Sequence, residues 1–311
     1  MTPALSLFYG GMVRKKNILS TTMHSYAAIA VVSIQWILFG YSFVFGGYGP
    51  LIGDGSFVLL NNVSFAPIDY APTIPHQLFL MFQLAFAVIT PALISGSIAE
   101  RMKFPAFLAF ILLWTTFVYD PIAHWIWGNG GWIRELDALD FAGGSVIHIS
   151  SGVSALVAAI YIGKRSNHDS IKPHNIPMTM IGAGLLLFGW YGFNAGSALA
   201  INDIALNAFI ATNTSAAAAG LSWMFCEWLI HKKPTALGFV SGIVAGLVSI
   251  TPGAGFVSPF ASLMIGLIGG IVCFYGVTVL KKKFAYDDAL DAFGCHGIGG
   301  ISHVNSRPAL T

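Results

Sequence analysis

An all-α, polytopic membrane bundle arranged as an inverted five-plus-five repeat is the fold class the sequence predicts, and three observations predict it. The chain is 56% apolar or aromatic and only 9% charged, with a mean hydropathy of +0.74, whereas soluble domains carry roughly 25% charged residues. Apolar runs bounded by charges or turn residues recur ten times along the chain. Thirteen of the fifteen Lys and Arg residues fall in alternate loops between those runs. A soluble enzyme, a disordered chain and a nucleic-acid binder are excluded by the first observation alone. At about 20 residues per crossing, 311 residues hold roughly ten crossings and no soluble domain.

In order, the runs are 2–13, 18–46, 75–99, 104–127, 141–163, 177–200, 204–230, 236–256, 260–280 and 292–301. Eight are long enough to span a bilayer; the first and last cover only about half a span. Arg14, Lys15 and Lys16 follow the first run, Arg101 and Lys103 the third, Lys164, Arg165 and Lys172 the fifth, Lys232 and Lys233 the seventh, and Lys281 to Lys283 the ninth. Positive residues stay on the cytoplasmic side of short loops, so the start of the chain is expected to face outward. Arg134 and the tail residue Arg307 are the exceptions. Five runs per half place the halves in opposite orientation, as in transporters built from inverted repeats. An Asp followed by His among small residues opens both the fifth run, from Asp140 to Gly152, and the tenth, from Asp291 to Gly300.

Ionisable residues inside spans are costly and read as functional by default. Asp140, Gly144, His148 and Gly152 recur every four residues and share one helix face, where glycines allow another helix to come close. His296 sits among glycines in GCHGIGG. Either histidine alone also fits a structural role, donating to a backbone carbonyl; two in pseudo-equivalent helices favour a shared function. Phe79, Phe82 and Phe86 form one helical stripe, and Trp190, Phe193 and Ser197 another, while Trp127 ends the fourth run. Such stripes usually mean packing, and an interfacial Trp anchoring, yet a hydroxyl beside an aromatic face can hold a small cation that donates hydrogen bonds. Gly238, Gly242 and Gly246, and Gly266 with Gly270, read as close helix packing. Glu100 and Arg101 read as pairing with neighbouring helix ends, and Asp120 and His124, one turn apart, as a pair with each other. Cys226, Cys273 and Cys295 lack metal-ligand spacing.

The stretches FYGGMVRKKN, AERMKF, AHWIWG, DFAGGSVIHISSG, PHNIPMTMIGAGLLLFGWYGFNAGSAL, ITPGAGF and DAFGCHGIGG resemble, in order, the ammonium transporters of the Amt/Mep/Rh family. The resemblance implies a multi-pass protein of the plasma or cell inner membrane, a homotrimer in which each eleven-helix subunit has its own pore. It implies no cofactor, no metal and no enzymatic activity. Against that pattern the first helix is shortened, the tenth incomplete and the eleventh absent, with 1–301 as one transport domain. Its half-repeats run over about 1–165 and about 174–301, and 302–311 form an atypical polar tail. By resemblance, Trp127, Phe86 and Ser197 recruit ammonium, with Asp140 supporting the electrostatics. Phe86 and Phe193 form a phenyl gate, His148 and His296 are the twin pore histidines, and Phe82 and Trp190 lie on the pore wall. The expected substrate is ammonium or ammonia, with methylammonium as analogue, and a PII-type regulator is a candidate partner at the cytoplasmic face. Two other functions remain open at this level: an ammonium sensor with little flux, and a membrane haem protein using His148 and His296 as axial ligands.

Overall fold

The computed structural model of the chain describes residues 1–166 and 172–302. Ten helices account for most of them: α1 (Thr2–Met12), α2 (Lys15–Phe45), α3 (His76–Ile98), α4 (Phe104–Trp127), α5 (Gly144–Ile162), α6 (Ile176–Gly196), α7 (Asp203–His231), α8 (Ala236–Ile250), α9 (Pro259–Phe284) and α10, in which Phe293–Gly297 runs into Ile298–Ile301. No strand forms among the described residues beyond an isolated bridge between Ile68 and Ala71. The polar tail expected at 302–311 lies outside the described residues except for Ser302.

The helices begin where the sequence supplies caps. Asn175 accepts from the Met178 amide at 3.0 Å, Asn202 from Ala205 at 3.0 Å, Thr235 from Gly238 at 2.9 Å and Ser258 from Ala261 at 3.2 Å. Each satisfies an amide that the first helical turn leaves without a partner. Among the described residues seven helices, not eight, are long and apolar enough to cross a membrane. The departure is α8, whose helix stops at Ile250 after 15 residues, about 22 Å of rise. The apolar run continues to 256, but Pro252 and the glycines that follow turn the chain.

Small residues set the packing, as expected where lipid removes the hydrophobic drive between helices. Gly242 and Gly246 on α8 lie against Ala219, Gly220 and Ser215 of α7, and Gly266 and Gly270 on α9 lie against Ser215, Ala218 and Ala219 of the same helix. One end of the bundle collects the basic loops and ties them together. Arg14 pairs with Glu100 at 2.8 Å, Arg165 with Asp287 at 2.8 Å and Lys281 with Asp291 at 2.6 Å. Arg101 donates to the carbonyls of Ser97, Gly163 and Asp287. Burial alone would raise the Asp287 carboxyl, but the Arg165 guanidinium and amide outweigh it and hold the group down to about 2.

The pairing expected between Asp120 and His124 does not occur. Asp120 accepts from the Gln35 carboxamide at 2.6 Å, and the His124 ring lies against the carbonyls of Val44 at 2.7 Å and Gly49 at 2.5 Å. One turn of spacing placed the two residues within reach, but α2 and the loop after it offered each a better-aligned partner.

Candidate functional site

A cavity of about 470 Å³ opens at the end of the bundle opposite the basic loops, lined by Phe82, Gln83, Phe86, Trp127, Arg134, Asp140 and Ser197 among others. Trp127 reaches it from the last turn of α4, and its indole donates to the Asp140 carbonyl at 2.9 Å. The indole ring lies 5.7 Å from Phe86, which packs edge-on against Phe82 at 4.8 Å and against Phe193 at 4.6 Å. Ser197 donates its hydroxyl to the Phe193 carbonyl at 2.9 Å, which leaves its oxygen lone pairs free to accept.

Asp140 precedes α5, and its carboxylate closes that helix end. One oxygen accepts from Gly143 at 3.0 Å and from Gly144, the other from Ser145 at 2.8 Å and Val146 at 3.1 Å. Gly143, at φ +105°, makes the turn that brings these amides round. With four donors in place the carboxylate has little capacity left for a ligand, so its negative charge acts on the cavity at a distance.

Behind Phe86 and Phe193 stand the two histidines. His148 Nδ1 and His296 Nδ1 are 3.3 Å apart, and the rings stack at 5.2 Å and 24°. Trp190 stacks on His148 at 5.4 Å and is held by its indole N–H donating to Thr251 at 3.0 Å. At this contact one ring donates and the other accepts, so a single proton is shared. The second nitrogen of His148, Nε2, is buried without a partner. The space beside the rings is about 10 Å³, walled by Leu5, Phe8, Leu93, Leu186 and Val244, room for about one water-sized molecule. Backbone contact sets the approach: a Cβ on Gly152 would strike Gly297.

All nine residues singled out from the sequence therefore lie on one line, from the mouth through the phenyl pair to the imidazoles. The sequence reading missed Gln83, Thr251 and Arg134 in this region. Gln83 shares the stripe of Phe79 and Phe86, so a carboxamide in an aromatic row was the available signal. Thr251 carries no local signal, because its partner is 61 residues away. A haem between the histidines is excluded by geometry: the rings touch, and a cavity of about 10 Å³ does not admit a macrocycle.

The profile of the Ammonium Transporter Family matches residues 1–303. The chain belongs to that family. It is 61% identical over 300 residues to the ammonium transporter of Bacillus subtilis (strain 168), covering 96% of this chain and 74% of that protein. Among solved structures it is similar to Mep2 of Saccharomyces cerevisiae, with a TM-score of 0.90, 38% identity and coverage of 97% of this chain and 70% of that one. It is also similar to a protein titled Sensor Amt Protein, at a TM-score of 0.89 and 31% identity over 96% of this chain and 76% of that one. Membership makes it a multi-pass membrane transporter rather than an enzyme.

Proposed function

We propose that this ammonium transporter family member binds ammonium at its aromatic mouth, strips it of a proton and passes neutral ammonia along the paired histidines. The observation that carries the reading is the dry, single-file gap between Phe86, Phe193 and the touching imidazoles. An ammonium ion taken into such a gap forfeits tens of kcal/mol of hydration, while an aromatic face returns only about 2. The cation therefore stays at the wet mouth, on Trp127, Phe86 and the Ser197 oxygen, with the Asp140 charge behind it. Ammonia, uncharged, crosses the phenyl pair and finds in His148 Nε2 a buried nitrogen without a partner. Potassium has no proton to surrender and is stopped at the mouth.

On this reading the aromatic mouth faces outward and so does the start of the chain, consistent with the basic loops gathered at the other end. Residues 1–301 act as one transport unit with half-repeats of about 1–165 and about 174–301, assembled as a homotrimer. The basic end is where a PII-type regulator would dock. The likeness to a sensor supports one second reading, ligand binding with little flux. Methylammonium uptake into vesicles containing the purified protein separates the two, since a sensor binds without uptake. In the same assay His148→Ala lowers ammonium flux at least about tenfold or admits potassium, because the shared-proton pair is lost. Wild-type flux and selectivity in that variant would remove the histidines from the mechanism.

A further inference from the structure

Arg134 broke the pattern of basic loops, and the structure places it on the wall of the mouth. It lines the cavity together with Asp69, Tyr70, Trp127, Asp140 and Ser197. Its guanidinium carbon lies 5.7 Å from the centre of the Tyr70 ring, within cation–π range, and its Nη1 donates to the Trp127 carbonyl. Tyr70 is itself held, accepting from the Asn129 amide at 2.7 Å and stacked on Phe79 at 5.7 Å and 9°. A cationic side chain thus occupies an aromatic face on the approach to the recruiting rings.

Two features separate charge from scaffolding. Arg134 touches Trp127 only at its carbonyl, while the indole has its own anchors on the Asp140 carbonyl and Phe86. Of the two acids on the cavity wall, Asp140 is committed to four backbone amides, and the other, Asp69, is exposed and lines the same cavity as Arg134. Removing Arg134 makes the mouth more negative by one charge and bares the Tyr70 ring.

We propose that Arg134 is a resident cation that sets the affinity and selectivity of the mouth. It fills the outer aromatic face and repels incoming cations, so that ammonium is held only at Trp127, Phe86 and Ser197 and is readily released. The inference rests on the recruitment reading above and adds a residue that lowers affinity instead of raising it. A unit charge acting across a wet cavity of this kind changes occupancy by about threefold, and salt screens it.

The test is methylammonium uptake by reconstituted vesicles, with tetramethylammonium as a probe for bare aromatic faces. Arg134→Gln and Arg134→Met are expected to lower KM about threefold at low salt, a difference that closes at about 0.5 M salt. Both should become sensitive to inhibition by tetramethylammonium, while Arg134→Lys, which keeps the charge, stays close to wild type in KM. Equal KM in the glutamine and lysine variants, a change in maximal rate alone, or a KM shift indifferent to salt overturns the proposal. Failure of both charge-free variants to fold also overturns it, by assigning Arg134 to scaffolding. Trp127→Leu in parallel keeps the two readings apart. A raised KM there with no effect at Arg134 removes only the resident cation, and an unchanged KM there removes recruitment itself.

Discussion

The helix carrying His148 and the helix carrying His296 begin alike and are finished differently. Each histidine lies in a π-helical turn, Gly144–Ile149 or Phe293–Gly297, and each follows an aspartate by eight residues, Asp140 or Asp288. Asp140 has both oxygens filled by four backbone amides. Asp288 accepts from the Phe293 amide at 2.7 Å through one oxygen, while the other is buried without a partner. Burial, with Asp291 beside it and Lys281 opposing, pushes the Asp288 carboxyl up to about 6. Burial raises the Asp140 carboxyl as well, but four backbone amides oppose that rise, whereas Asp288 has fewer amides and a like charge beside it. The same residue type at the same distance is thus held by a different number of amides, which tempers the effect of burial at Asp140 more than at Asp288.

The largest expected effect tests what the two helices share. Gly152→Val drives a side chain into the Gly297 backbone, and overpacking of this kind costs about 3 kcal/mol. Thermal unfolding in detergent should show the loss, and an unaltered melting temperature would mean the helices are free to part. Next comes the difference between the caps. Asp140→Asn turns an amide donor toward the N–H groups of α5 and costs about 2 kcal/mol. Asp288→Asn can present its carbonyl to Phe293 and its NH₂ to the vacant side, and costs about 1 kcal/mol or less. Equal losses would dissolve the contrast.

The smallest effect concerns pH. A carboxyl raised from 3.8 to about 6 on folding makes the folded state the stronger proton binder. Its contribution is fully present below about pH 4 and lost as pH rises through about 6. Melting temperature measured across that window should fall in the wild type and flatten in Asp288→Asn; parallel curves would count against a titrating Asp288.

The spans and the helix faces that carry the aromatic, Ser and His residues were legible because they rest on local pattern, whereas the reading of those faces as a site came from the family resemblance. Lys and Arg mark helix ends, and aromatic, Ser and His residues at helical spacing mark a face. Three-dimensional partnerships were not. The sequence echo was anchored on Asp291, which in the fold turns to Lys281, whereas Asp288 three residues earlier holds the helix end. Asp120 found its partner 85 residues away in Gln35, so spacing within α4 pointed to the wrong neighbour. The π turns in α2, α4, α5, α9 and α10 carry no composition signature. Arg134 was visible as an anomaly of charge, but only the loop bearing Tyr70 gives it a location.

The wet mouth of about 470 Å³ and a second cavity of about 510 Å³ at the basic end, lined by Lys164, Arg165 and Tyr286 among others, are separated by apolar walls and the imidazole pair. Among the described residues the space at the imidazoles is about 10 Å³, room for about one water-sized molecule and not for a column of liquid. An osmotic gradient therefore finds no hydraulic route through the protein, and vesicles densely loaded with it should shrink in hypertonic medium at the pace of the bare bilayer.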